Sequence, residues 1–86
     1  MTPEMITVGE DAAIAFGHIS KELLNRDGCD IKQRSQYWAG ALCAIVGYMA
    51  ADTGPEAARH VLQIAENSLP NIHRGGINPV EPGGDA

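Results

Sequence analysis

The sequence predicts a small all-α domain, a three-helix bundle. Three observations carry that expectation: apolar residues recur at helical spacing in three segments, residues able to cap a helix precede each segment, and glycine or proline follows each one. No segment has the alternation a strand requires, and no internal repeat is visible. The 86 residues read as one helical domain over 1–70 and a flexible Pro/Gly-rich tail over 71–86.

The first helix is expected over about 8–27. Thr7-Val8-Gly9-Glu10 has the form of a capping box, in which hydroxyl and carboxylate satisfy backbone donors that a first turn leaves unpaired. Ala12, Phe16, Ile19 and Leu23 then form an apolar stripe, and Glu22 and Arg26 stand at the spacing of a favourable pair. Gly28 supplies the left-handed residue that ends many helices.

A second box, Asp30-Ile31-Lys32-Gln33, opens a helix over about 31–52. Thr53-Gly54-Pro55-Glu56 breaks it and offers a third box for a helix over about 55–69, whose stripe is Ala58, Val61, Leu62, Ala65 and Leu69. Beyond Pro70 the chain is rich in helix breakers and has no period, so a mobile tail is expected; Ile72, Ile77 and Val80 are the residues able to pin its first half.

The middle helix is the unusual element. Trp38, Leu42, Ile45 and Met49 share one narrow bulky stripe, with Val46 beside it. Nearly opposite lie Gly40, Ala44, Gly47 and Ala51, flanked by Cys43, a strip with almost no side chain. No polar face exists between Tyr37 and Ala51. If helices 1 and 3 cover the bulky stripe, the small strip is left over and lets a second helix approach closely, so Gly40, Cys43, Ala44, Gly47 and Ala51 are the expected contact of a homo-oligomer.

Composition bounds the partners. A net charge of −5 disfavours attraction to nucleic acid or anionic lipid. The uncharged stretch Tyr37 to Ala51 is shorter than the roughly 20 residues a bilayer requires, and much of it is alanine and glycine, so no membrane association is expected. Met1 to Met5 lack the basic segment and apolar core of a secretory leader, and the two cysteines, Cys29 and Cys43, have no zinc-ligand spacing, which together predict a cytoplasmic protein with reduced thiols.

Candidate chemistry is sparse. Lys21, Arg26, Lys32 and Arg34, four of the six basic residues, gather near the turn between helices 1 and 2, with Tyr37 and Trp38 one turn further on. An anion or nucleotide-like ligand at a subunit junction is one reading of that end. His18, His60 and His73 stand on separate segments, so no metal site or cofactor is expected, and no nucleophile has a base beside it, so no catalytic residue is assigned.

Helices 2 and 3 across Asp52-Thr53-Gly54 resemble a helix-turn-helix, which implies a DNA-binding regulator with Arg59, His60, Gln63 and Asn67 on the reading helix. Glu56, Glu66 and the acidic balance oppose that role. The sequence therefore points first to a non-catalytic, oligomeric interaction module that binds another macromolecule. It would serve as an inhibitor, adaptor or antiactivator of the kind found among small bacterial or phage accessory proteins.

Overall fold

The computed structural model of the chain describes residues 3–73 and 75–80. Three helices, α1 (Pro3–Arg26), α2 (Ile31–Thr53) and α3 (Pro55–Ser68), are followed by a short 3-10 turn, Leu69–Asn71. A minimal antiparallel hairpin, β1 (Ile72–His73) and β2 (Gly76–Ile77), completes the described chain. The mostly helical, three-helix chain expected from the sequence is therefore present, with a short hairpin added.

Helix α1 starts earlier than the sequence suggests. Thr7 and Glu10 lie inside the helix rather than at its cap, because the chain is already helical from Pro3. The second box forms as expected: the Asp30 carboxylate accepts from the Gln33 backbone N–H at 2.8 Å, and the Gln33 side chain accepts from the Asp30 N–H at 2.9 Å. Between the two helices Gly28 adopts φ 62°, where a Cβ would crowd the following carbonyl.

The third box does not form. Thr53 Oγ1 donates to the Met49 carbonyl at 2.9 Å, so its side chain turns back along α2, and Gly54 caps α3 without a side chain, with Pro55 in the first turn. The Glu22 and Arg26 spacing is also passed over at Arg26, whose Nε instead donates to the neighbouring Asp27 at 3.3 Å.

The core is small and partly polar. Among the described residues Leu24, Ala58, Ile64, Ser20 and Ser68 are the buried ones. The inward line of α1 runs through Gly17, Ser20 and Leu24, one position off the expected stripe, and Ile19 is 69% exposed. In α3 the inward line includes Ile64 and Ser68 beside Ala58, while Val61, Leu62 and Leu69 remain exposed. The expected stripes contain neither of the two buried serines, Ser20 and Ser68.

Residues 72–73 and 75–80 are tied to the helices. Ile72 pairs with Ile77 and His73 with Gly76, and the Asn78 N–H donates to the Asn71 carbonyl at 3.2 Å. Gly75, at φ 90°, lies so close to α1 that a Cβ there would sit 3.0 Å from Ile14 Cδ1. His73 Nε2 lies 3.3 Å from Glu10 Oε2, and the Val80 N–H donates to Ser68 Oγ at 2.6 Å. The first part of the expected tail is thus a docked hairpin, and positions 81–86 fall outside the described residues.

Candidate interaction surface

Helix α2 has no buried residue along its 23 positions. In its first half Arg34 reaches Asn25 of α1 and Tyr37 reaches Ser20, and its second half is partly covered at Val46, Met49 and Ala50. Helix α3 is its neighbour through the Gly54 turn. Most of the bulky stripe falls between these half-buried positions. Trp38 is 44% exposed, Leu42 53% and Ile45 47%, which corrects the expectation that helices 1 and 3 cover it.

The stripe forms one wall of an open groove of about 610 Å³. Ala12, Ala13 and Gly17 of α1, with Ala41 of α2, line it with small side chains; Phe16, Trp38, Leu42 and Ile45 line it with large ones. The aromatic end is ordered by ring geometry. Phe16 and Trp38 meet edge to face with centroids 6.1 Å apart, and Tyr37 meets Trp38 at 5.3 Å and 90°. Tyr37 is anchored in turn by its hydroxyl, 2.7 Å from the buried Ser20 Oγ.

The small strip on the opposite side is open. Gly40, Cys43, Ala44, Gly47 and Ala51 are all exposed, and a Cβ built on Gly40 or Gly47 meets nothing within 4 Å. Sequence reasoning located this strip; it missed the groove, because the same residues were assigned to a covered face.

Two of the four cations near the first turn have partners of their own. Arg34 clamps the turn, donating from its guanidinium to the Cys29 carbonyl at 3.1 Å and to Asn25 Oδ1 at 2.7 Å. Arg26 is beside Asp27, and the capping box engages the Asp30 and Gln33 backbone N–H groups. Lys32 is exposed on α2.

Lys21 and Trp38, however, line a common depression of about 630 Å³ with His18, Ile14 and Gly75. His18 was the residue missing from the sequence-based set, since nothing in its spacing relates it to Trp38, which is on another helix. Among the described residues no group of three His, Cys, Asp or Glu side chains is placed to hold a metal ion. Nor, among them, is any helix long and apolar enough to cross a membrane. Cys43 is exposed and Cys29 half-buried, both as free thiols.

No protein-family model, no curated protein and no solved structure matches the chain. The class the molecule defines is therefore set by its own geometry: a three-helix chain whose central helix is largely uncovered.

Proposed function

We propose that this chain is a non-catalytic helical interaction module of the cytoplasm that works by associating through α2, first with a second copy of itself. As an assembled unit it would act on another macromolecule as an inhibitor, adaptor or antiactivator. One observation carries the reading. A central helix, uncharged from Tyr37 to Ala51, leaves Trp38, Leu42, Ile45 and Tyr48 exposed, and a soluble chain covers such a surface by association.

Thermal unfolding at several protein concentrations tests this. Assembly that accompanies folding raises the midpoint as concentration increases, by mass action. A midpoint independent of concentration across the micromolar range contradicts the proposal.

A ligand site takes second place, on the observation that Lys21, His18 and Trp38 share a depression. The same instrument separates the two. Nucleotides and organic anions should raise the midpoint at fixed protein concentration if that depression binds them, and leave it unmoved otherwise.

A further inference from the structure

We infer that the groove between α1 and α2, and not the small-residue strip, is the seat of a second copy of this chain. In each protomer the Leu42 and Ile45 ridge enters the small-residue lining of the other, formed by Ala12, Ala13, Gly17 and Ala41. The inference rests on the reading of α2 as an association element and adds which face meets what.

The chemistry of the lining restricts the occupant. No lining residue carries a formal charge, so an occupant that brought one would lose its hydration without gaining a partner. The longest stretch of this chain that meets the requirement lies in α2, which is uncharged from Tyr37 to Ala51.

Shape points the same way. A twofold axis places one surface against its own copy, so a self-associating surface must hold both ridge and recess. Leu42 and Ile45 stand out from the protomer at about half exposure beside alanine and glycine positions. One surface therefore carries both parts.

Area supplies the third argument. The chain exposes 6703 Å², whereas a folded monomer of 9.1 kDa exposes about 4900 Å². Even if the nine residues outside the description carried the full area of extended chain, about 1400 Å², the rest would exceed a folded body of its mass by about 800 Å². A stable protein interface buries about 800 Å² on each partner. The surplus belongs to the whole chain, and it is of the size that one copy contributes to a dimer.

Sedimentation of the full chain, Leu42→Glu, Ile45→Glu and Gly47→Leu, with circular dichroism to check helix content, tests the assignment. Leu42→Glu and Ile45→Glu should each weaken dimerisation by about 100-fold or more, as substitutions at the centre of an interface do. Gly47→Leu should change it by less than about threefold, within the range of a substitution outside the contact. If Gly47→Leu breaks the assembly and the groove variants leave it intact, the groove assignment fails while association through α2 stands. A wild-type chain that remains monomeric overturns both, and apolar dye bound by that monomer at Trp38 would give the groove to a small ligand instead.

Should both glutamate variants lose helix, acrylamide quenching of Trp38, the single tryptophan, decides on the unmodified protein. Quenching must increase as the assembly is diluted apart. Equal quenching in the assembled and dissociated chain would show that the groove is not the contact.

Discussion

The Tyr37 hydroxyl lies 2.7 Å from Ser20 Oγ, joining α2 to the one serine of α1 that is completely buried. Tyr37 also meets Trp38 edge to face, so the pair adjoins the aromatic end of the groove. Tyr37→Phe removes the partner of a buried hydroxyl and should lower stability by about 1 to 2 kcal/mol. Ser20→Ala together with Tyr37→Phe should cost less than the two single changes summed, because the double variant leaves no unpaired polar group. Urea denaturation of the four proteins measures this, and strictly additive losses would contradict the coupling.

The Asp30 cap is the best-defined local feature of the chain. Asp30→Ala removes the side-chain half of the box and should destabilise the protein by about 1 kcal/mol, whereas Asp30→Ser should recover most of the loss. Denaturation midpoints report both values. Equal losses for alanine and serine would mean that the hydroxyl does not reach the Gln33 N–H.

Gly28 turns the chain between α1 and α2 at φ 62°. No neighbouring atom lies within 4 Å of a Cβ built there, so the cost of Gly28→Ala is conformational alone, about 1 kcal/mol. Gly28→Asn should cost less, since asparagine tolerates the left-handed region better than alanine does. The comparison is again made by chemical denaturation.

Ser68 joins α3 to the segment beyond the hairpin. Its hydroxyl donates to the Ile64 carbonyl at 2.5 Å and accepts from the Val80 N–H at 2.6 Å. Ser68→Ala should leave the helix formed and speed hydrogen exchange at the Val80 amide, with little change at amides in the middle of α2. Unaltered exchange at Val80 would show that this hydrogen bond does not hold the segment.

What the sequence made legible was local. The Asp30 and Gln33 box and the Gly28 stop act over a few residues, and both stand where the spacing puts them. Partners far along the chain were not legible: the buried Ser20 meets Tyr37, 17 positions away, and Ser68 accepts from Val80, 12 positions away. Two-residue strands carry too few positions to display alternation, so the hairpin escaped as well.

The candidate surface divides in the same manner. The sequence identified α2 as apolar on all sides, a property of composition and helical period. Which faces α1 and α3 leave open is a property of tertiary placement, and there Trp38, Leu42 and Ile45 reversed the expectation.

The central claim is that α2 obtains its cover from a second copy. Light scattering of the purified wild-type chain across micromolar concentrations measures this most directly. The account predicts a mass near twice 9.1 kDa that falls toward the single-chain value on dilution; a mass of 9.1 kDa at every concentration would contradict it.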